Sequence, residues 1–200
     1  MKAKSLALLF TILFSGYATA AQGDLLVRGR LINIAPSVST SGTLSTLGID
    51  VDKQVVPELD FTYMITPNIG AELILGTARH KVTSFGASLG KVSHLPPTLT
   101  LQYHFAPEAT VRPYIGAGIN YTRFYNASLK AGAADLTVDK NSFGGSLQIG
   151  TDIAINKDWY VNVDLKKIYI KTDVKTTTGA ALGSLKINPT VFGIGIGTKF

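Results

Sequence analysis

The sequence predicts an all-β protein: an eight-stranded antiparallel transmembrane up-and-down β-barrel with short periplasmic turns and long extracellular loops. Three observations lead to this fold. Eight segments alternate apolar residues with polar or small ones, which is the period of a strand with two unlike faces. The connections between the segments are alternately short and long. The chain is 46% hydrophobic and 16% charged, with 20 glycines, and is therefore poorer in charge than a soluble domain, where roughly 25% is usual.

Each alternating segment is long enough to cross a bilayer as a tilted strand, which takes about 9–11 residues. The clearest is the last, 191–200, where Phe192, Ile194 and Ile196 alternate with glycines. We interpret it as the strand that closes the barrel on the first strand. Hydrocarbon would reject the charges on the polar side of the segments, so the apolar side is expected to face lipid and the polar side a lumen. The other segments are 24–35, 54–64, 69–80, 94–105, 111–124, 142–155 and 159–170, and the closing strand begins near Ile187.

The connections distinguish the two ends of the barrel, because short periplasmic turns and long outer loops are typical of outer-membrane barrels. A soluble barrel of lipocalin type would also alternate, with its apolar face inward. Aromatic residues at the segment ends favour the membrane. The tight turns are 66–68, 106–110 and 156–158, and the long connections are 36–53, 81–93, 125–141 and 171–186. The aromatic residues are Tyr63, Tyr103, Phe105, Tyr121, Phe143 and Trp159.

The amino terminus predicts export from the cytoplasm. Two lysines precede an apolar run over 6–14, and residues 18–20 read Ala-Thr-Ala, a small-residue cleavage pattern. We therefore predict a cleaved signal peptide over 1–20 and a barrel over 21–200, located in an outer membrane of the Gram-negative type. An uncleaved anchor is the alternative, but the run is too short to span a bilayer as a helix. The chain has no cysteine, so its stability must come from a core or a closed sheet.

Charged side chains collect on the inward face near the periplasmic end of the predicted barrel. Because buried charges must be partnered, we expect them to form a paired polar floor in the lumen. We expect Gly116, Gly118 and Gly144 to leave some room inside. The predicted floor residues are Arg28, Arg30, Glu58, Asp60, Glu72, Arg112, Asp152 and Asp164.

The same inward face is apolar toward the outer end, which predicts a vestibule above the floor. We hypothesise that it binds small hydrophobic molecules that enter from outside. The alternative is an ordinary filled lumen, since side chains nearly fill an eight-stranded barrel. Prolines near the outer ends remove ladder donors, so they mark either a gap for sideways exit into the membrane or only the start of the loops. The predicted vestibule residues are Ile32, Ile34, Val56, Pro96, Ile168, Ile170, Ile187, Pro189 and Val191, and the prolines are Pro57, Pro96, Pro97 and Pro189.

No residue pattern predicts a catalytic site, a metal site or a cofactor. The histidines His80, His94 and His104 lack the spacing of a metal-binding motif, and no cysteine could join them. Neither a nucleophile elbow nor a phosphate-binding loop occurs. His94 beside Ser93 has no evident carboxylate partner for nucleophilic catalysis. The net charge of +6 is spread along the chain without a basic stripe, so nucleic acid is not an expected partner.

Five stretches of the sequence closely resemble the OmpW family of small outer-membrane proteins. The resemblance covers most of 23–200, and its most specific parts are HLPPTLTLQY and RPYIGAGINYT. It implies an eight-stranded barrel with a hydrophobic lumen that moves small hydrophobic molecules, with lateral exit to the bilayer. It also implies that Phe200 is the signal read by the outer-membrane assembly machinery, a partner alongside outer-membrane lipid. The stretches are GDLLVRGRLINIAPS, HLPPTLTLQYHF, VRPYIGAGINYTRFY, INKDWYVNVDLKKIYI and INPTVFGIGIGTKF.

Two classes of function therefore remain open. The leading one is binding or passage of small hydrophobic compounds through the upper lumen. The other is a non-conducting structural or interaction barrel whose long outer loops bind a surface partner. An apolar upper lumen favours the first class, and a fully paired polar lumen favours the second. A lipid-modifying enzyme would need a clustered catalytic set near the outer rim, so we do not expect an enzyme.

Overall fold

The computed structural model describes residues 21–200, and most of them belong to a single antiparallel sheet. The predicted signal peptide, 1–20, lies outside the described residues. The strands in chain order are β1 (Leu25–Ala35), β2 (Ser39–Thr40), β3 (Ile49–Val51), β4 (Gln54–Met64), β5 (Ile69–Gly76), β6 (Ala78–Ser84), β7 (Ala87–Leu95), β8 (Thr98–His104), β9 (Val111–Ala131), β10 (Ala134–Val138), β11 (Asn141–Ala154), β12 (Trp159–Ile168), β13 (Lys171–Thr176), β14 (Ala181–Lys186) and β15 (Thr190–Lys199). A 3₁₀ helix, Gly42–Thr46, connects β2 to β3.

The sheet closes into an eight-stranded antiparallel barrel, which confirms the predicted fold class. Its wall follows the order β1, β4, β5, β8, β9, β11, β12 and β15, and β15 pairs again with β1. At this seam Leu26 lies opposite Lys199 and Ala35 lies opposite Thr190. The backbone amides of Leu25 and Phe200 each donate to the other residue's carbonyl oxygen over 2.9 Å. The carboxyl terminus of the chain is thus the strand that closes the barrel.

The two faces of the wall differ as the alternation predicts. Outward side chains are apolar and exposed, such as Leu31 and Ile119, while Arg28 on the inward face is fully buried. This orientation is that of a membrane barrel and opposite to that of a soluble one. Exposed aromatic side chains lie near both ends of the wall, with the rings of Tyr103 and Phe105 5.2 Å apart. Over the described residues, no helix has the length and apolar character needed to span a membrane.

The long connections contain strands of their own, which the sequence analysis did not predict. Above the barrel, pairing runs in the order β3, β6, β7, β9, β10, β13, β14 and β2, and we call this upper sheet the outer collar. The hairpin between β6 and β7 turns on Phe85 and Gly86, which have φ values of 48° and 84°. Two consecutive residues with positive φ make the turn whose twist matches an antiparallel strand pair. The barrel interior therefore continues outward beyond the predicted strands.

Two predicted segments are each divided into two strands. The segment 69–80 breaks at Thr77, between β5 and β6, and the segment 94–105 breaks at Pro96 and Pro97, between β7 and β8. Proline has no amide hydrogen to donate, so two in succession interrupt a ladder. The closing strand begins at Thr190 rather than near Ile187, because Ile187 follows directly on the outer strand β14.

The inward glycines seat large side chains rather than leaving open space, which corrects the expectation of room in the lumen. A Cβ atom at Gly197 would lie 2.5 Å from the ring of Tyr160, and one at Gly116 would lie 2.7 Å from the Thr100 methyl group. A Cβ atom at Gly118 would collide with the Leu99 backbone on β8, and one at Gly144 would collide with the Tyr169 backbone just after β12. Glycine is thus required because its neighbours already occupy the position.

Gly195 at the closing seam provides a test of this close packing. A Cβ atom there would overlap the Gly29 carbonyl oxygen and lie 2.7 Å from the Arg30 Cα, both on β1. We expect Gly195→Ala to lower the free energy of unfolding by about 1–3 kcal/mol, because backbone must move to admit the methyl group. The measurement is urea unfolding from lipid vesicles, followed by the fluorescence of Trp159, the single tryptophan. Gly29→Ala is the matched control, since a Cβ there meets nothing within 4 Å and should change stability little.

Candidate functional site

The barrel interior is divided into three layers along its axis. At the periplasmic end lies a network of charged side chains, which we call the charged floor. Above it lies a small cavity inside the membrane wall, the inner cavity, with a volume of about 30 Å³. A second cavity of about 40 Å³, the outer cavity, lies within the outer collar. These layers arise because alternate residues of every strand face inward and change from charged to apolar along each strand.

Arg28 lies at the centre of the charged floor. Its Nε and Nη2 donate to the two carboxylate oxygens of Asp152 over 3.1 and 2.8 Å, a bidentate pair. Its Nη1 donates to Asp60 Oδ1 and Thr62 Oγ1, both at 2.8 Å. The guanidinium carbon also lies 5.5 Å from the ring centre of Tyr114. A fully buried guanidinium with two carboxylates and an aromatic face is held in one orientation.

Arg30 and Lys166 connect the floor to the layer above. The Arg30 Nε donates to Glu58 Oε1 over 2.9 Å, and its Nη2 lies 2.9 Å from Asp60 Oδ2. The Lys166 ammonium donates to the same Glu58 oxygen over 2.6 Å. Asp164 lies 3.5 Å from both cations and accepts a hydrogen bond from Gln148 over 2.8 Å. Glu58 is therefore neutralised from two sides at the upper edge of the floor.

All predicted floor residues are buried inside the barrel. With Lys166, the set comprises four basic and five acidic side chains. Such a set closes the lumen, because a molecule passing along the axis would have to separate paired charges in a low-dielectric interior. The residues are Arg28, Arg30, Glu58, Asp60, Glu72, Arg112, Asp152, Asp164 and Lys166.

Three floor residues were missed by the sequence analysis, although the alternation could have indicated them. Tyr114 and Tyr160 are 0% and 2% exposed, and Arg28 and Arg112 lie 5.7 and 5.0 Å from the Tyr160 ring centre. Tyr114 lies between two outward positions of β9, so its inward direction follows from parity. Lys166 has the same parity as Asp164. Parity therefore places all three on the inward face, although the sequence analysis did not include them in the floor.

The inner cavity contains most of the predicted vestibule residues. Ile34 and Val191 lie opposite each other across the closing seam, and Glu58 forms part of the lower boundary. Of the remaining predicted residues, Ile187 lines the outer cavity instead, and Ile170 is buried in the same apolar cluster without lining either cavity. The predicted residues that line the inner cavity are Ile32, Ile34, Val56, Pro96, Ile168, Pro189 and Val191.

The outer cavity was not foreseen, because it is built from strands that pair across different connections. Leu44 of the 3₁₀ helix is 3% exposed and lines it, as do residues of seven strands of the outer collar. Both cavities have room for little more than water, so an organic ligand must displace their aliphatic side chains. The apolar lining residues of the outer cavity are Leu44, Ile49, Val51, Val82, Leu89, Val92, Phe124, Leu129, Leu136, Val138, Val174, Leu185 and Ile187.

Two histidines lie where the cavities meet. His94 lines both cavities and His80 lines the outer one. Their rings are stacked with centroids 5.0 Å apart, and their Nε2 atoms lie 3.0 Å apart. His80 Nδ1 lies 2.7 Å from the carbonyl oxygen of Asp52. The pair thus places two imidazole rings between two cavities whose lining residues are mostly apolar.

The barrel wall is discontinuous beside the inner cavity. The β5–β8 ladder ends at the pair Ile74 and Thr98, and the β6–β7 ladder starts at the pair Ala78 and His94. Within the described chain, residues 75–77 therefore form no ladder pairs with residues 95–97. The Thr77 hydroxyl crosses this interval: it bonds the His94 carbonyl oxygen at 3.1 Å and the Tyr125 hydroxyl at 2.5 Å. We call these contacts the Thr77 clasp.

Of the other two prolines, Pro57 lies within a continuous ladder, and Pro189 lies in a second interval, between β14 and β15, that backbone hydrogen bonds bridge. Pro57 stays in register with Leu31, and the Pro189 carbonyl oxygen accepts a hydrogen bond from the Ile168 amide over 3.1 Å. Pro96 and Pro97 coincide with the interval between the β5–β8 and β6–β7 ladders, beside the inner cavity. Within 21–200 there is also no group of three or more His, Cys, Asp or Glu side chains placed to hold a metal ion.

Known proteins share this architecture and much of the sequence. A sequence model of the OmpW family matches residues 21–200. Outer membrane protein W of Escherichia coli K12 is 38% identical over 206 aligned residues, covering 97% of each chain. The uncharacterized outer-membrane protein y4mB of Sinorhizobium fredii is 43% identical over 180 residues, covering 87% of this chain and 78% of that protein.

Two Pseudomonas aeruginosa proteins extend the comparison. The dibenzothiophene metabolism operon protein PahQ is 36% identical over 151 residues, covering 70% of this chain and 69% of that protein. The crystal structure of the outer membrane protein OprG matches with a TM-score of 0.80 at 26% identity, covering 92% of this chain and 98% of that chain.

The charged floor predicts a large effect of removing its central cation. We expect Arg28→Met to lower the free energy of unfolding by about 3–5 kcal/mol, because Asp152 would remain buried without its main partner and Asp60 would lose one of its two arginines. The control is Lys130→Met, which removes the exposed Lys130–Asp135 pair and should cost at most about 1 kcal/mol. Urea unfolding from vesicles measures both variants. Equal stability losses in the two would contradict a structural role for the floor.

Proposed function

This chain belongs to the OmpW family of outer-membrane proteins, and from that premise we propose that it takes up small hydrophobic molecules from outside the cell. In this proposal the molecules enter through the outer cavity, pass to the inner cavity and leave sideways into the membrane. The observation that carries the proposal is the combination of two apolar cavities with a charged floor that closes the axis below them.

The chemistry of the interior supports an apolar ligand. Above Glu58 the inward residues are mostly aliphatic, so a hydrocarbon there would replace side-chain contacts with contacts of the same kind. A hydrophilic solute would lose its hydration without finding partners. The name of the relative PahQ links that protein to an operon for metabolism of dibenzothiophene, an apolar aromatic compound, and its similarity to this chain supports the same class of ligand here.

The position of the wall discontinuity supports sideways exit. The inner cavity is lined by Gly76, Thr77 and Pro96, all within the unpaired interval. At this height the wall is held by the Thr77 clasp instead of ladder hydrogen bonds. Moving the clasp breaks few interactions, whereas opening the floor would break many charge-assisted ones. The membrane is also the natural destination for a molecule that is more soluble in lipid than in water.

A charge placed in the inner cavity tests whether uptake follows this route. We expect Ile34→Asp and Val191→Asp each to reduce the initial rate of naphthalene uptake by cells at least about tenfold, because a carboxylate in the path repels an apolar ligand and retains water. Thr190→Asp is the matched control. It adds the same charge at the neighbouring residue, whose side chain points out of the barrel instead of into the cavity. There Lys167 Nζ lies 3.3 Å from the Thr190 hydroxyl.

Unchanged uptake in the two cavity variants, with barrels that are folded and inserted normally, would contradict the proposal. That result would instead favour a non-conducting barrel whose outer connections bind a surface partner. Insertion is checked by the shift in gel mobility between heated and unheated samples.

The clasp gives an independent test of sideways exit. Thr77→Val keeps the side-chain volume but removes both hydrogen bonds of the hydroxyl, and we expect uptake to rise about three- to fivefold if release limits the rate. Tyr125→Phe removes one of them and should give a smaller increase. Tyr121→Phe serves as the control, because its hydroxyl donates to Asn141 away from the interval. Wild-type uptake rates in both clasp variants would remove the support for this exit.

A further inference from the structure

His94 lies in an unusual position for a polar side chain. It is 3% exposed, lines both cavities and has the Phe124 ring centre 6.3 Å from its own. Every ligand that follows the proposed route must pass it. The inference below therefore rests on the proposed function and adds to it a chemical class of ligand.

The hydrogen bonds of the histidine pair determine where its protons lie. Both histidines are 3% exposed, and the burial of His94 among mostly apolar residues favours its neutral imidazole. The Asp52 carboxylate lies 3.5 Å from His80 Nδ1, which is too far for a strong hydrogen bond, and 39% of its side chain is exposed to water.

The Asp52 carbonyl oxygen can only accept, so His80 Nδ1 carries the proton and donates to it over 2.7 Å. In a neutral ring the other nitrogen, His80 Nε2, is then an acceptor. The His94 Nε2 atom, 3.0 Å away, must therefore carry the proton that lies between them. This leaves His94 Nδ1 without a proton, as an acceptor.

That acceptor has no hydrogen-bond partner among residues 21–200, and it is buried. A buried acceptor without a donor is destabilising, and a ligand that supplies a donor removes that penalty on binding. We propose that His94 Nδ1 is a ligand-binding atom that selects small apolar molecules carrying one hydroxyl group, such as phenols and alcohols. His80 acts as a positioning residue, because it fixes the tautomer of His94.

The direction of the hydrogen bond makes the selection specific. A hydroxyl group donates to His94 Nδ1 while its hydrocarbon body contacts the aliphatic lining. An ether of the same size offers only an acceptor and gains nothing from this atom. A carboxylate would place a negative charge beside an acceptor in an apolar cavity. Bare hydrocarbons remain ligands under the proposed function, with lower affinity than their hydroxylated counterparts.

Three probes of similar size distinguish these ligands: 4-fluorophenol, fluorobenzene and 4-fluoroanisole. Their binding to the full chain in lipid nanodiscs is measured by fluorine NMR line broadening, with empty nanodiscs to subtract partition into lipid. For the wild type we expect 4-fluorophenol to bind roughly fivefold more tightly than either other probe, the ratio expected from one net hydrogen bond. Equal binding of the three probes would overturn the inference.

His94→Phe removes the acceptor and keeps an aromatic ring of similar size. We expect the preference for 4-fluorophenol to vanish while fluorobenzene binding changes less than about twofold. Phe124→Leu is the control: it alters the lining of the same cavity without removing an acceptor, so all probes should shift by a similar factor and the preference should remain. A preserved preference in His94→Phe would contradict the role of His94.

His80→Phe tests the positioning role of His80. It also provides a second test of the inference if His94→Phe fails to fold. Without its partner, His94 can adopt either tautomer, so we expect 4-fluoroanisole to gain affinity relative to 4-fluorophenol. An unchanged ratio would show that His80 does not fix the tautomer.

If the wild type binds no probe, the proposed function itself fails. If it binds all probes and no histidine substitution changes their ratios, only the present inference fails.

Discussion

The structure depends on the neutralisation of two arginines placed side by side in a narrow lumen. Arg28 and Arg30 are 0% and 3% exposed, and each can be tolerated only because carboxylates reach it from several strands. Asp60 on β4 contacts both guanidinium groups, while Asp152 on β11 reaches Arg28 from the far side of the barrel. The ion network thus ties distant strands together as well as filling the space between them.

The pairing of charges in the floor allows the interior of the upper half of the barrel to be apolar. Glu58, at the upper edge of the floor, is already paired with Arg30 and Lys166. The inward residues above it therefore need not supply a cation and can be aliphatic. The apolar interior extends into the outer collar, where it is continuous with the same cluster of buried residues. An interior that is apolar above and charge-paired below has no apolar route along its axis, and the proposed path must turn toward the wall.

Local alternation was sufficient to predict the eight strands of the barrel wall and the inward position of the eight floor residues it named, since both depend only on residue parity. It could not predict the outer cavity. That cavity depends on the pairing of β3 with β6 and of β10 with β13, between segments far apart in the chain. The His80–His94 contact was invisible for a related reason. It joins strands of a hairpin whose register is fixed by the turn at Phe85 and Gly86, not by spacing.

The histidine pair differs from the carboxylates of the charged floor. In the floor, a carboxylate oxygen without a hydrogen bond still lies beside cations that favour its charge, as Asp164 does beside Arg30. His94 Nδ1 has no hydrogen-bond partner within 21–200, and most of the residues that line the two cavities beside His94 are apolar. Apolar side chains of similar volume would fill the same space without leaving a buried acceptor unpaired. Packing alone therefore gives no reason for two stacked imidazoles there, whereas a ligand that donates one hydrogen bond does.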